Sequence, residues 1–192
     1  DPPDMFGLSG HAFLINIHEQ LCPSGPYCWN HQPFFATLRN LGLDVTSLGF
    51  SHGGSSKTER SALEARLRAS MDRGAVCSLM NMENQLIRGY DDRGLLTAQP
   101  FPDCGDFAPA TLTYGSWSEL GDEVHVSFFE WRRIEPGDVR TIRRGGLQHG
   151  VDLFRHPDRH CEPGYGVGPD AYTNWLQAID EFGASHGNCG LV

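Results

Sequence analysis

Hydrophobic residues recur at helical intervals in several segments of the chain, and this spacing predicts helices near both of its ends. One amphipathic helix is expected over 31–41, with Pro33 in its first turn. A second follows the capping-box pattern Ser56-Lys57-Thr58-Glu59 and ends at Gly74. The segment 139–154 has helical spacing that Gly145-Gly146 interrupts, and a last helix is expected over 168–182.

Between these helices, short runs rich in β-branched and aromatic residues predict strands. The expected strands are 11–18, 44–50, 75–80, 85–90, 95–99 and 124–131. The turn Asp91-Asp92-Arg93-Gly94 joins two of them as a hairpin, whereas Gly164–Gly168 is expected to be a turn into the last helix. The predicted fold class is therefore α+β, with helices packed on a central antiparallel sheet.

Composition narrows the classes of protein that fit this pattern. The 192 residues suit one domain over 1–192, and no apolar run reaches the roughly 18 residues that a membrane span needs. The formal charge of −9, from 15 Lys and Arg against 24 Asp and Glu, argues against binding to nucleic acid or to an anionic membrane. We expect a soluble protein whose partner is a peptide or a small molecule.

The six cysteines, at positions 22, 28, 77, 104, 161 and 189, allow 15 disulfide pairings, and their spacing does not choose among them. Since no secretory leader precedes them, we expect free thiols and a cytoplasmic location. The chain begins at Asp1 without an initiator Met and stops abruptly at Val192. These ends indicate a fragment of a longer protein.

Three segments together carry a resemblance to a known fold. Cys28-Trp29 stands just ahead of the helix expected at 31–41, Arg73-Gly74-Ala75-Val76 leads into a strand, and Gly89-Tyr90-Asp91-Asp92-Arg93-Gly94 forms a hairpin turn. This arrangement, over about residues 20–103, resembles the papain-like cysteine peptidases. It is most similar to bacteriocin-leader-processing peptidases and to the N-terminal domain of butirosin-type acyltransferases.

The resemblance implies a catalytic role for four positions. Cys28 would be the nucleophile, activated by the N-terminus of the following helix, and Gln20 would be the oxyanion-hole glutamine. The family has its general-base His where this chain has Glu83, and its orienting Asp or Asn where this chain has Gln99. A cysteine nucleophile needs an adjacent base and the base needs its orienting partner, so papain-type catalysis is expected to be badly weakened.

A second alignment of the same family remains open. Ser9-Gly10-His11-Ala12-Phe13 resembles the segment that follows the nucleophile helix in the acyltransferase-like relatives. In that alignment the nucleophile helix precedes Asp1, and Cys28 is an ordinary cysteine. Both alignments place 75–103 in the same central hairpin, so the fold expectation does not depend on the choice.

Two functions follow from the resemblance. The first is a catalytically degenerate peptidase-like domain that binds a peptide or a small amide-bearing metabolite, as part of a biosynthetic protein. The alternative is a thiol-dependent acyltransferase or amide hydrolase in which His11, His18 or His125 serves Cys28 as a non-standard base. No cofactor is implied by either function.

Three further groups of polar residues are candidates for chemistry. Cys22, Cys28 and His31, with the run 156–161, offer metal-ligand side chains, but they lack the paired short spacings of zinc sites, and no metal is predicted. His11 and His18 are expected on opposite faces of one strand. The arginines at 132, 133, 140, 143 and 144 are interpreted as a solvated surface with acidic neighbours.

Overall fold

A computed structural model describes residues 2–22, 25, 28–81, 84–98, 109–121 and 125–182. The α+β class predicted from the sequence is confirmed. The described residues divide into two units. The helical unit lies within 1–43 and 134–192, and the sheet unit lies within 44–133. The single papain-like domain expected over 1–192 stays a prediction.

The sheet unit is built on one six-stranded sheet. Its strands are β2 (Leu43–His52), β3 (Val76–Met80), β4 (Asn84–Tyr90), β5 (Gly94–Thr97), β6 (Thr111–Thr113) and β7 (His125–Arg133). Their spatial order is β2-β7-β3-β4-β5-β6, and the pairs from β7 to β6 are antiparallel. The hairpin expected at Asp91–Gly94 connects β4 to β5, where the Asp91 side chain accepts from the Arg93 and Gly94 amides.

Alternation along the strands directs one face of this sheet into a hydrophobic core. Cys77 and Leu79 of β3, and Val126 and Phe128 of β7, stand two residues apart and are fully buried. Helix α3 (Lys57–Asp72) contributes to the same cluster. Its other buried members are Leu63, Leu67, Ile87, Leu95, Leu112 and Trp117.

Helix α3 confirms the predicted capping box and carries one buried carboxyl group. Ser56 accepts from the Glu59 amide, while the Glu59 side chain accepts from the Ser56 amide. Two turns later, Glu64 is 4% exposed and its Oε1 accepts from Trp117 Nε1 at 2.9 Å and from the Gly115 amide at 2.6 Å. Glu64 thereby joins α3 to the turn after β6.

The helical unit contains four helices and a two-stranded sheet among its described residues. The helices are α1 (Pro2–Leu8), α2 (Gln32–Asn40), α4 (Val139–Arg155) and α5 (Pro169–Phe182). The strands β1 (Asn16–His18) and β8 (Tyr165–Val167) pair antiparallel. No described helix combines the length and the apolar character that crossing a membrane requires.

Three local expectations for this unit are wrong. Gly145 and Gly146 lie within the continuous helix α4 and do not interrupt it. A Cβ at Gly145 would lie 2.5 Å from Asn40 Nδ2, and one at Gly146 would lie 2.4 Å from Leu8 O, so these glycines permit close packing. The expected strand 11–18 is a strand only over β1, since residues 11–13 form a 3-10 turn. His11 and His18 therefore do not share a strand, and the prediction that they lie on its opposite faces is wrong. Gly164–Gly168 contains β8 rather than only a turn.

Glu64 provides a test of the sheet unit. Replacing Glu64 by Ala leaves the buried Trp117 Nε1 and Gly115 N–H groups without an acceptor, and we expect the free energy of unfolding to fall by about 2 to 4 kcal/mol in urea denaturation. Glu64→Gln keeps an acceptor oxygen and should lose less than half as much. An equal loss for the two variants would contradict this role of the hydrogen bonds.

Candidate functional site

Six aromatic side chains of the helical unit gather where four chain segments meet. We call them the imidazole–aromatic cluster; its members are His11, Trp29, His31, Phe34, His149 and His160. The ring centroids of His11 lie 4.9 Å from Phe34 and 5.7 Å from Trp29. The other contacts are Trp29–His31 at 4.2 Å, Trp29–Phe34 at 5.6 Å, Phe34–His149 at 6.2 Å and His149–His160 at 5.4 Å.

Glycine backbone brings two of these histidines together. Gly10 has φ +78° and a Cβ there would lie 2.6 Å from Gly146 O and 3.1 Å from a ring carbon of His149. No side chain fits between the turn at 9–10 and α4, so His11, the next residue, is held beside the α4 face that carries His149. Gly150 likewise leaves room for the Phe13 ring.

Backbone pairing holds Trp29 beside His160. Trp29 forms an isolated antiparallel bridge with Cys161, and the Asn30 amide donates to His160 O at 2.8 Å. The Asn30 side chain adds a bond to Arg159 O at 2.8 Å. Helix α2 begins directly after this segment, with Pro33 in its first turn, and so places Phe34 in the cluster.

His160 is the innermost member of the cluster. It is completely buried, and its Nε2 lies 2.8 Å from Asp152 Oδ2 on α4. Because a carboxylate accepts hydrogen bonds, Nε2 carries a proton and donates, and in a neutral ring Nδ1 keeps its lone pair. Asp152 therefore fixes the tautomer of His160 and aims an acceptor nitrogen away from itself.

Three ring nitrogens of the cluster are buried without a hydrogen-bond partner among the described residues. They are His11 Nδ1, His149 Nε2 and His160 Nδ1. Each unsatisfied buried polar atom costs about 1 to 3 kcal/mol, and native proteins keep few of them. Their concentration in one cluster marks a place where polar groups from outside the chain would be stabilised.

Burial favours the neutral form of three rings of the cluster, His11, His31 and His149. It lowers the pKa of His31 to about 4, and the neighbouring His11 adds to the shift. Burial also lowers the pKa of His149 to about 4, helped by His160 and His11 and opposed by Asp152, and it lowers the pKa of His11. A neutral imidazole offers one donor and one acceptor, so the cluster presents both kinds of group at neutral pH.

Cys28, the expected nucleophile, has a different environment. It is half-buried three residues before His31, the N-cap of α2; its carbonyl accepts from Asn16 Nδ2 at 2.9 Å. Burial raises the pKa of the Tyr165 hydroxyl, and the neighbouring thiols of Cys22 and Cys28 raise it further. Within the described chain, no histidine is hydrogen-bonded to the Cys28 sulfur.

Of the other expected catalytic residues, the structure describes only Gln20. Gln20 is exposed in the turn after β1, where its amide donates to His18 Nδ1 at 3.0 Å, and no hydrogen bond links it to Cys28 in the described part of the structure. Glu83 and Gln99 lie outside the described residues. Across the ranges described, no group of three or more His, Cys, Asp or Glu side chains is placed to hold a metal ion.

Sequence reasoning did not single out His149 and treated His160 only as part of a polar run. A signal for His149 was present, because Gly146, His149, Gly150 and Leu153 share one face of a helix. A polar residue among glycines on a buried face indicates close packing around an imidazole. His160 carries no such local signal, since its place depends on a contact with Asp152.

No family model, curated protein or solved structure matches this chain. The likeness of 20–103 to papain-like peptidases stays a prediction from the sequence.

Acidification should destabilise the helical unit through these rings. In the unfolded chain the imidazoles take up protons near pH 6.5, whereas folded His31 and His149 resist protonation until about pH 4. The rings therefore contribute no pH dependence above about pH 7, and the free energy of unfolding falls below it by about 1 kcal/mol per pH unit for each ring. Urea denaturation between pH 7.5 and 5 measures this slope.

His149→Phe should reduce the dependence of the free energy of unfolding on pH by the contribution of one ring. His125→Phe, which replaces an exposed histidine of the sheet unit, should leave this pH dependence as in the parent chain. An unchanged slope in His149→Phe would contradict the assignment of a buried neutral ring.

Proposed function

We propose that this chain is a binding domain, catalytically degenerate with respect to papain-like peptidases, and that the imidazole–aromatic cluster holds the amide group of a peptide or small metabolite. The observation that carries this proposal is the set of three unpartnered ring nitrogens beside Trp29 and Phe34. A ligand that satisfied them would recover the free energy that their burial costs.

The chemistry of the cluster favours an uncharged ligand that both donates and accepts hydrogen bonds. Neutral imidazoles supply one donor and one acceptor each, and an amide presents the complementary pair, N–H and C=O. The Asp152 carboxylate beside His160 disfavours an anion, and burial of the rings disfavours any ion that arrives without a partner charge. The Trp29 and Phe34 rings, 5.6 Å apart and tilted by 57°, supply planar surfaces for the amide or its apolar neighbours.

A gradient of burial across the cluster gives the ligand a direction of approach. His11, His31 and Phe34 are half-buried, whereas His149 and His160 are buried behind them. The partly exposed rings would form the entrance, and His149 Nε2 and His160 Nδ1 would be the deepest hydrogen-bonding groups. Such a site is mostly apolar with few convergent polar atoms, which is typical of small-molecule sites.

The surroundings of Cys28 favour binding over thiol catalysis. Activation of a cysteine requires a neighbouring base, and the titratable group that the Cys28 thiol influences is the phenol of Tyr165. Because the pKa of Tyr165 is raised, the phenol retains its proton and cannot take up the proton of the thiol. For a Cys28-dependent acyltransferase or amide hydrolase, the described residues provide no imidazole that is hydrogen-bonded to the thiol.

Binding of neutral amides tests the proposal directly. A panel of N-acetyl dipeptide amides should contain members that bind the chain in calorimetry, and His149→Phe should weaken their binding by about fivefold or more through loss of one hydrogen bond. The same variant should be at least as stable as the parent without ligand, because it removes an unsatisfied buried nitrogen.

A loss of affinity without a loss of stability distinguishes a ligand-binding role of His149 from a structural one. His125→Phe serves as the matched control and should change neither quantity. If no panel member binds, or if His149→Phe binds every member as the parent does, the proposed site is wrong.

Alkylation tests the alternative function. Because no described imidazole is bonded to its sulfur, Cys28 should react with iodoacetamide at pH 6 no faster than free cysteine, and Cys28→Ser should bind the amides as the parent does. Selective rapid labelling of Cys28, with loss of a measurable hydrolysis of the same amides, would favour the enzyme instead.

A further inference from the structure

Helix α4 carries an exposed apolar row that no other described element covers. Leu147, Val151 and Phe154 follow one another at intervals of four and three residues and are 61, 49 and 46% exposed. The row borders a cleft of about 580 Å³ whose walls include Arg144, Asp152 and Arg155. Adjacent exposed apolar side chains on a helix are typical of an interaction surface.

The apolar row of α4 lies in a basic setting. Arg140, Arg143, Arg144 and Arg155 are all exposed, and Asp152 is the one acidic residue of the helix. In the helical projection these arginines stand in line with the row or at its edges. A partner that fits this surface is therefore both apolar and acidic.

Helix α5 has the complementary character. Tyr172, Trp175, Leu176 and Ile179 form an exposed row at intervals of three, one and three residues, with exposures between 46 and 64%. The helix contains Asp170, Asp180 and Glu181 and no Lys, Arg or His. In the helical projection Asp180 stands at the edge of the row, whereas Asp170 and Glu181 lie on the other side of the helix. Its opposite face is occupied, since Ala171 and Ala178 are fully buried and Asn174 donates to Ile17 O.

The α5 row of the same copy does not cover α4. Gly168, the residue before α5, comes so near α4 that a Cβ there would lie 2.7 Å from Leu153 O. Leu147 and Leu176 nevertheless remain the most exposed members of their rows, at 61 and 64%. Neither row is therefore covered by the described residues of the same copy.

We propose that two copies of this chain associate through these helices, with the exposed apolar row of the acidic helix α5 from one copy seated on the basic apolar row of α4 from the other. The apolar rows would supply the buried area, and attraction between the α4 arginines and Asp180 at the edge of the α5 row, within the negative field of that helix, would set the orientation. In a closed pair each α4–α5 contact occurs twice, as two-fold symmetry requires.

Sedimentation velocity of the full chain at low salt, with charge-reversed variants, tests this proposal. We expect the parent chain to form a dimer that weakens as salt is raised. Arg144→Glu with Arg155→Glu reverses α4, and Asp180→Arg with Glu181→Arg reverses α5; each pair of changes should raise the dimer Kd at least tenfold. Arg66→Glu with Arg133→Glu, two exposed reversals in the sheet unit, should leave it unchanged.

Mixing the two reversed variants is the decisive step. In a mixed pair the reversed α4 faces a reversed α5 and the two unchanged helices face each other, so the dimer should return. Circular dichroism of each variant shows whether it remains folded, and Leu176→Ser provides a loss of association without a change of charge. A monomeric parent chain, dimers that survive both reversals, or reversed variants that stay monomeric when mixed would each overturn the proposal.

Discussion

The helical unit depends on the backbone contact between the turn at Gly10 and the helix at Gly146. A side chain at either glycine would collide with backbone, so the approach is available to no other residue type without displacement. This contact sets His11 beside the face of α4 that carries His149, and through α4 it fixes Asp152, which orients His160. Small residues in the backbone thus determine where the large polar rings meet.

Packing of this kind has an electrostatic consequence. Burial disfavours the charged form of an imidazole, and His11, His31 and His149 all have lowered pKa values for that reason first. A neutral ring interacts with its partners through hydrogen bonds and not through charge. Three ring nitrogens of the cluster have no hydrogen-bond partner among the described residues. The cluster is therefore suited to a neutral ligand, while the arginines of α4 and the acidic residues of α5 lie on exposed surfaces.

The sequence predicted those parts of the fold that local pattern determines. Helix α3, with its reciprocal Ser56 and Glu59 cap, and the strands from β3 to β5 were found because their spacing and their turns are encoded within a few residues. The strand β8 was missed because three residues between glycines have no periodicity, and its pairing partner β1 is nearly 150 residues away. Gly145-Gly146 was misread because a glycine that breaks a helix and one that allows close packing look the same locally.

The candidate site could be predicted only in part for the same reason. His11 and His31 were noticed as candidate chemical groups, but their neighbours His149 and His160 come from segments over 110 residues distant in the chain. Family resemblance indicated Cys28 and Gln20, but among the described residues no histidine is hydrogen-bonded to the Cys28 sulfur, and Gln20 is hydrogen-bonded to His18 and not to Cys28. The role of Asp152 is visible only in the folded structure, where it is hydrogen-bonded to His160 and lines the cleft on α4.

The histidine ring nitrogens can be observed directly by long-range ¹⁵N–¹H NMR during a titration with an N-acetyl dipeptide amide at pH 7. The account predicts neutral rings at His31 and His149 before addition, and a displacement of the His149 and His160 ring-nitrogen resonances on addition, while those of His52 and His125 stay in place. Ring-nitrogen resonances of His149 and His160 that remain unchanged while the amide binds, or charged rings at the start, would contradict it.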